Sequence, residues 1–249
     1  MQRYFVEEQY VGEQIIEIHG DDARHIAKVM RMKNGDEIYC CLHGKTALCT
    51  IAEITNEFVK ASIVQWIEKS NELPVFVTIA SGLPKGDKLE LILQKGTELG
   101  AAAFLPFQAA RSIVKWDEKK GDKKVERWTK IAKEAAEQSH RSIVPSVYAP
   151  VSFKQLLSMS SEYDACIVAY EEDAKQGEQA NFVKTLQQLQ PGKRLLIVFG
   201  PEGGLSEEEI KQLREHTFVT CSLGPRILRT ETAPLYALSA VSYHFELMR

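Results

Sequence analysis

Strand-like and helix-like segments alternate along the last two thirds of this 249-residue chain. This alternation restricts the possible folds more than any other feature of the sequence. Short apolar runs predict strands, and apolar residues at helical spacing predict the helices between them. The predicted strands are 75–80, 103–107, 164–170, 194–199 and 218–223, and the predicted helices are 85–99, 123–140, 179–189, 206–215 and 232–247. Strands alternating with helices form a mostly parallel sheet with both faces covered, so this part is predicted to be an α/β domain.

The first 72 residues have a different pattern, of short strands around one helix. The predicted strands are 14–18, 37–42, 47–54 and 59–67, and the predicted helix is 23–32. Several short strands around a single helix indicate a small β-barrel. The polar stretch 69–74 ends in proline and is typical of a domain boundary. We therefore predict two domains, 1–72 and 73–249.

Composition excludes several classes of protein. Apolar residues make up 44% of the chain and charged residues 26%, as in ordinary globular proteins. No apolar run approaches the roughly 20 residues that a membrane span needs, and the first residues lack the pattern of a signal peptide. The five cysteines show no metal-ligand spacing. These features predict a cytoplasmic protein with reduced thiols and no metal site.

Positive charge is concentrated in the middle of the chain. The formal net charge of −3 argues against a protein that coats nucleic acid indiscriminately. Residues 84–145, however, carry 13 Lys/Arg against 9 Asp/Glu, a surplus of four positive charges. Within this block, one side of the predicted helix 123–140 and the residue that follows it are cationic, through Lys123, Arg127, Lys130 and Arg141. A polyanionic partner and a merely solvated helix face both explain this stripe.

Two loops that begin with Gly-Pro follow consecutive predicted strands. The glycine loop, 200–204, has three glycines in five residues, which let a backbone approach a ligand closely. Ser206 and Glu209 then form a capping box that opens a helix. The loop is neither G-x-G-x-x-G nor a Walker A sequence, so a nucleotide phosphate is not its expected ligand. A tight strand-to-helix turn without a ligand explains it equally well.

The arginine loop, 224–233, repeats the Gly-Pro start before the last predicted helix. It places Arg226, Arg229 and Glu231 close to a helix N-terminus, where arginines can hold a carboxylate or a phosphate. In an open α/β sheet, ligands bind at the carboxyl ends of the strands, so both loops are candidate site elements. The acidic stretch 170–173, after the preceding strand, is a weaker third candidate.

Other polar residues give less specific signals. His25 and His140 lie in basic surroundings, but no serine or cysteine is spaced to form a nucleophile–base pair with either. A packed or solvent-facing histidine is the simpler interpretation of both. No cluster of His, Asp and Glu indicates a metal.

The combined motifs resemble those of the RsmE-type 16S ribosomal RNA methyltransferases of the SPOUT superfamily. The two C-terminal signatures of that family are matched by 200–204 and 223–233. Further matching stretches, in the expected order, are Arg24-His25 with Arg31 and Gly35-Asp36, Gln94-Lys95 with Glu98-Leu99-Gly100, Arg111-Ser112, and 134–138 with Arg141 and Pro145. The resemblance covers essentially the whole chain, with Pro234 as a local departure that a first helical turn tolerates.

The resemblance implies a fold, a cofactor and a reaction. The expected fold is an N-terminal PUA-like β-barrel followed by a SPOUT α/β domain whose C-terminal part forms a trefoil knot. The knot loops of the family wrap S-adenosylmethionine, and two chains pair through the knotted region, which implies a homodimer. The expected reaction is methylation of N3 of a uridine in 16S ribosomal RNA of the small subunit.

The catalytic and cofactor-binding residues are expected in the two matching loops and at their edges, and the RNA-binding residues on the basic stripe and at three further arginines. Arg229 is expected to stabilise the uracil anion or the target phosphate, and Glu231 is a candidate base that could instead cap the helix or hold Arg229. The expected cofactor-binding residues are Phe199, Gly200, Pro201, Glu202, Gly203, Gly204, Leu223, Gly224, Ile227, Leu228, Thr232 and Ala233. The expected RNA-binding residues are Arg24, Arg31, Arg111, Lys123, Arg127, Lys130 and Arg141.

Three alternatives compete with this interpretation. A related SPOUT enzyme acting on transfer RNA would carry nearly the same catalytic motifs. A non-catalytic RNA-binding assembly factor with a vestigial cofactor loop is opposed by the intact glycines and by Arg229 and Glu231. A nucleotide-dependent α/β enzyme lacks its phosphate-loop lysine and its dinucleotide fingerprint.

Overall fold

The computed structural model describes residues 1–114, 116, 121–170 and 181–248, and the chain divides into two compact units. The first unit contains Met1–Glu72 with Ala136–Val144, and the second contains Leu73–Ala135 with Pro145–Arg249. The segment 136–144 thus groups with the N-terminal part of the chain. That 1–72 and 73–249 fold as separate domains stays a prediction.

The first unit is built on a five-stranded sheet in the order β1-β3-β4-β5-β2. Its strands are β1 (Arg3–Phe5), β2 (Ile15–His19), β3 (Glu37–Leu42), β4 (Lys45–Ile54) and β5 (Phe58–Ile67). β1 runs parallel to β3, whereas the β2–β5, β3–β4 and β4–β5 pairs are antiparallel. Among the described strands β1 and β2 lie at opposite edges, so the sheet is an open half-barrel.

One face of this sheet forms the core of the first unit. The residues of this core recur at every second position, for example Ile16 and Ile18 on β2 and Ile38 and Cys40 on β3, which is the period of two expected for one face of a sheet. The predicted helix 23–32 is instead α1 (Gly20–Arg24) followed by a π-helical turn, His25–Val29. This helical segment buries Ala23 and Ile26 against the sheet.

The second unit is a seven-stranded parallel sheet in the order β12-β10-β11-β6-β7-β8, with β9 also paired to β7. Its strands are β6 (Phe76–Gly82), β7 (Ala103–Gln108), β8 (Ser146–Val147), β9 (Val151–Ser152), β10 (Ala165–Ala169), β11 (Arg194–Phe199) and β12 (Val219–Cys221). The helices are α2 (Lys88–Glu98), α3 (Gly121–Gln138), α4 (Phe153–Ser158), α5 (Asn181–Gln188), α6 (Glu207–Glu215) and α7 (Thr232–Ser242), and α7 continues into a π-helical turn, Tyr243–Leu247. Residues 179 and 180 of the predicted helix 179–189, which corresponds to α5, lie outside the described residues.

Helices cover both faces of the parallel sheet. On β11, Leu195 and Ile197 face a core shared with α2, α5 and α7, whereas Leu196 and Val198 face a core shared with α4 and α6. Burial on both faces explains why the sequence of β11 is almost continuously apolar. The prediction of a parallel α/β domain is confirmed. The short elements β1, β8, β9 and α4 were not predicted.

The order of the strands determines where a ligand can bind. β6 and β11 are neighbours, but the chain leaves β6 toward β7 on one side and leaves β11 toward β12 on the other. A crevice opens at the carboxyl ends of the strands where the connections diverge in this way. The glycine loop follows β11 at that position. No helix in the described parts of the chain is long and apolar enough to cross a membrane.

Candidate active site

A cleft of about 930 Å³ lies at the carboxyl ends of β10, β11 and β12. Its volume is in the range of cavities that hold a cofactor or a drug-sized ligand. The walls come from the two Gly-Pro loops, from the end of β10, and from Lys88 and Arg111. Tyr170, from the third candidate stretch, lines the cleft, whereas 171–173 of that stretch lie outside the described residues.

The glycine loop is a tight turn in which the backbone leaves no room for a side chain at Gly200. The N–H of Gly204 donates to the carbonyl of Pro201 at 2.8 Å, and Gly204 has a φ of +67°. A Cβ on Gly200 would lie 3.0 Å from the backbone of Gly204 and Leu205. The loop also packs closely against Gly82 of β6: a Cβ added to this glycine would lie 2.6 Å from the ring of Pro201. The loop therefore exposes backbone, rather than side chains, to the cleft.

Glu209 fixes the helix that follows the glycine loop. The predicted capping box is confirmed: Glu209 accepts hydrogen bonds from the backbone N–H and the hydroxyl of Ser206, and the Ser206 hydroxyl accepts from the N–H of Glu209. The other carboxylate oxygen of this buried side chain accepts the N–H of Ala110 at 2.8 Å. One residue further on, the guanidinium of Arg111 donates to the carbonyl of Gly203 at 3.1 Å. Arg111, predicted as an RNA contact, thus lies in the wall of the cleft.

The arginine loop turns at Gly224 and ends in α7. Gly224 has a φ of +104°, and its N–H donates to the hydroxyl of Ser222 at 3.0 Å. The carbonyl of Arg229 accepts the N–H groups of Thr232 and Ala233, so α7 begins directly after the loop. The Arg229 side chain is exposed at the cleft and makes no hydrogen bond or ion pair with another residue that the structure describes. It is therefore available to a ligand.

Lys88, at the start of α2, connects the two loops. Its ammonium lies 3.0 Å from a carboxylate oxygen of Glu202 and 3.3 Å from one of Glu231. The hydrogen bond to Glu202 raises the pKa of Lys88. Partial burial raises the pKa of Glu202, but hydrogen bonds from its own backbone N–H, from Lys88 and from the N–H of Lys85 lower it by more. The Glu202 carboxylate is therefore kept ionised.

The cleft contains eleven of the twelve predicted cofactor residues. The exception is Thr232, which is exposed at the first turn of α7 and does not line the cleft. The Glu231 side chain also lies outside the lining and is only 16% exposed, because it turns toward Lys88. Lys88 and Gly82 were not predicted as site residues, since neither belongs to a local motif and both contact the site through tertiary contacts.

Five of the predicted RNA contacts are exposed cations outside the cleft. In the first unit these are Arg24 and Arg31, and in the second unit Lys123, Arg127 and Lys130 on α3. Arg24 forms a surface ion pair with Asp21 at 3.1 Å, and Arg127 forms one with Glu90 at 2.7 Å. Surface pairs of this kind are weak and can be exchanged for a phosphate.

The prediction that Arg141 belongs to an exposed basic stripe is wrong. Arg141 is 3% exposed in the first unit, and its Nε donates to a carboxylate oxygen of Glu72 at 2.9 Å. The other oxygen of Glu72 accepts the backbone N–H groups of Ser142 and Ile143. The guanidinium of Arg3 donates to the carbonyl of Arg141 at 3.0 Å. The α3 helix ends at Gln138, so Arg141 does not lie on the cationic face of that helix, where it was predicted.

The two histidines have ordinary environments. Nδ1 of His25 lies 3.1 Å from the hydroxyl of the buried Tyr4, and the ring is half-buried. Burial, with the nearby Asp22 and Glu137 carboxylates, raises the pKa of Tyr4, so this phenol keeps its proton. His140 is exposed, with a φ of +59°. Across the described part of the chain, no group of three His, Cys, Asp or Glu residues could hold a metal ion.

The sequence of this chain matches two families of RNA methyltransferase domains. The family described as "RNA methyltransferase domain" matches residues 71–242, and the one described as "RNA methyltransferase PUA domain" matches 18–64. The chain is 57% identical to the ribosomal RNA small subunit methyltransferase E of Bacillus subtilis, over 100% of this chain and 99% of the relative.

Solved structures of similar proteins carry a bound cofactor. The structure of a ribosomal RNA small subunit methyltransferase E from Neisseria gonorrhoeae, bound to S-adenosyl methionine, matches with a TM-score of 0.83 and 29% identity over 97% of both chains. A putative methyltransferase from Legionella pneumophila, in complex with the same cofactor, matches with a TM-score of 0.83 and 29% identity over 96% of both chains.

Proposed function

Since this chain belongs to the RsmE family of ribosomal RNA small subunit methyltransferases, we propose that it methylates N3 of one uridine in 16S ribosomal RNA. The methyl donor is S-adenosylmethionine, the cofactor bound by its structural relatives. The observation that carries the proposal is the cleft of about 930 Å³ that both Gly-Pro loops form at the carboxyl ends of parallel strands. We place the reaction in the cytoplasm, where small ribosomal subunits are assembled.

The residues of the cleft fit this cofactor. Backbone packs so closely around Gly200 and Gly82 that any side chain would displace the glycine loop, so the loop presents N–H and C=O groups to the ligand. Apolar walls for the adenosine and methionine parts come from Phe199, Leu223 and Leu228. When bound, S-adenosylmethionine supplies a methyl group already activated by its positive sulfur. We propose that these residues of the two loops hold it.

The protein must then prepare the uridine. Neutral N3 is a poor nucleophile, and loss of its proton spreads negative charge over O2 and O4 of the base. We propose that the exposed Arg229 guanidinium stabilises this charge and orients the base. Glu231 turns toward Lys88 and not into the cleft, so the geometry favours a role in holding the arginine loop over that of a general base.

The reaction is tested with methyl-labelled S-adenosylmethionine and small ribosomal subunits that lack the modification. We expect label in a single N3-methyluridine of 16S ribosomal RNA, mapped by mass spectrometry. Label on transfer RNA and none on the subunit would keep the methyltransferase but overturn the substrate. Absence of both label and cofactor binding would leave only the RNA-binding alternative.

Exposed cations of α3 are proposed to contact the RNA backbone. Lys123 and Lys130 have no partner that competes for their charge in the described residues, whereas Arg127 is paired with Glu90. Charge reversal by Lys123→Glu with Lys130→Glu is expected to weaken RNA binding at least about 10-fold and to flatten its salt dependence. The control is Lys184→Glu, an exposed lysine on α5. Equal losses in both proteins, measured by salt-dependent filter binding, would contradict the assignment.

We propose that two chains pair through the C-terminal helix. An exposed apolar stripe runs along α7 and the turn after it, through Tyr236, Tyr243 and Leu247, at 43%, 57% and 72% exposure. Apolar residues at this spacing on the surface of a helix are typical of an association face. Sedimentation equilibrium would give twice the chain mass for the dimer and the single mass otherwise. The trefoil knot implied by the resemblance stays a prediction.

Gly82→Ala is expected to raise the Kd for S-adenosylmethionine at least about 10-fold, because misplacement of a binding loop by a fraction of an ångström is costly. The added Cβ would lie 2.6 Å from Cδ and 2.8 Å from the nitrogen of Pro201, so the glycine loop has to move. Calorimetry measures the effect. Gly192→Asn, in a remote turn with open space around it, is the control and should bind normally. An unchanged Kd for Gly82→Ala would show that the loop adapts.

A further inference from the structure

The two loops of the cleft share a single cation. Glu202 belongs to the glycine loop and Glu231 to the arginine loop, and both carboxylates lie within 3.3 Å of the Lys88 ammonium. The backbone N–H of Lys85 adds a hydrogen bond to Glu202 at 3.1 Å. The amino end of α2, a separate element of the fold, thus contacts both loops.

Without Lys88 this cluster would contain two carboxylates and no cation. Two carboxylates held near one another repel, and the repulsion grows as the groups are withdrawn from water. The side chain of Glu231 is 16% exposed and that of Glu202 is 28% exposed, so solvent screens them only in part. One ammonium between them turns a repulsive contact between the loops into an attractive one.

We propose that Lys88 is a positioning residue that keeps the glycine loop and the arginine loop in one arrangement for binding S-adenosylmethionine. It acts through Glu202 and Glu231, and the proposal rests on the proposed function. A surface ion pair alone is worth little, but here each carboxylate is anchored in a loop that lines the cleft, so losing the cation changes the shape of the site.

Substitutions at Lys88 test the charge separately from the stem of the side chain. Lys88→Met removes the ammonium and keeps an unbranched stem, whereas Lys88→Arg keeps a positive charge. The matched control is Lys95→Met on the same helix, which removes an exposed pair with Glu98 at 2.8 Å. We expect Lys88→Met to raise the Kd for S-adenosylmethionine about 10-fold by calorimetry, Lys88→Arg to stay within about threefold of wild type, and Lys95→Met to bind normally.

A double variant identifies the mechanism. In Lys88→Met with Glu202→Gln, the repulsion between the loops is removed together with the cation. This protein should therefore bind the cofactor within about threefold of Glu202→Gln alone. Thermal unfolding should be the same for all variants within about 3 °C, because Lys88 and Glu202 lie at the surface of the unit.

The outcomes separate the inference from the function it rests on. Wild-type affinity in Lys88→Met, an equal loss in Lys95→Met, no rescue by arginine, or no recovery in the double variant would each overturn the positioning role. If the wild-type chain itself does not bind S-adenosylmethionine, the proposed function is overturned first.

Discussion

Replacing Arg229 with alanine is expected to lower kcat for methyl transfer about 100- to 1,000-fold while cofactor affinity stays near wild type. One correctly placed donor to a developing negative charge is worth about this factor in enzymes. The Arg229 side chain is exposed at the cleft and makes no hydrogen bond or ion pair with another described residue, so its loss removes no such contact within the loop. The negative charge proposed to develop on the uracil would then lack this donor.

Single-turnover kinetics with saturating S-adenosylmethionine and unmodified small subunits measure this effect. Arg194→Ala is the control, because Arg194 lies at the amino end of β11, opposite the cleft, where its guanidinium pairs with the exposed Glu162 and stacks over the ring of Tyr163. Calorimetry on Arg229→Ala checks that the cofactor still binds. An Arg229→Ala enzyme that binds cofactor and RNA normally and methylates at the wild-type rate would remove Arg229 from the mechanism.

Local sequence patterns predicted most of the fold. The strand Arg194–Phe199 was predicted with its observed bounds because a strand buried on both faces must be apolar throughout. The capping box at Ser206 and Glu209 fixed the start of α6 through a contact that spans only three residues. The family was predicted from a resemblance that covers essentially the whole chain, with the two loops as its C-terminal signatures, and the cofactor was implied by that resemblance. Membership of the family is confirmed, and a solved structure of a similar protein holds S-adenosyl methionine.

Contacts between distant residues account for what the sequence did not reveal. Lys88 reaches the site across more than a hundred residues of chain, so no motif around it indicates its partners. A two-residue strand such as β8 forms because it pairs with the edge of β7, and its own sequence does not indicate this pairing. Arg141 was predicted to be exposed because the helical spacing of the predicted helix was continued to residue 141. The observed helix α3 ends at Gln138, so residue 141 no longer has helical geometry.

The burial of Arg141 leads to the second large expected effect. Arg141→Met should destabilise the first unit by about 3 kcal/mol, because removal of one partner leaves the other charge buried. Glu72 would lose its guanidinium partner and keep the N–H groups of Ser142 and Ile143. The backbone carbonyl of residue 141, which accepts a hydrogen bond from Arg3, is retained in the variant. The loss is therefore one of stability, and not of a contact with RNA.

Hydrogen exchange resolves this effect within the chain. Amides of β3 and β4 should exchange faster by a factor equivalent to about 3 kcal/mol, whereas those of β6 and β11 in the second unit serve as the internal reference. In Arg141→Met with Glu72→Gln, at least half of the loss should be recovered, since no net charge remains buried. Arg24→Met, which removes only a surface pair with Asp21, should change stability by less than about 0.5 kcal/mol. Full protection of β3 and β4 in Arg141→Met, together with weak RNA binding, would contradict the structural role. Arg141 would then be an RNA-binding residue, as the sequence predicted.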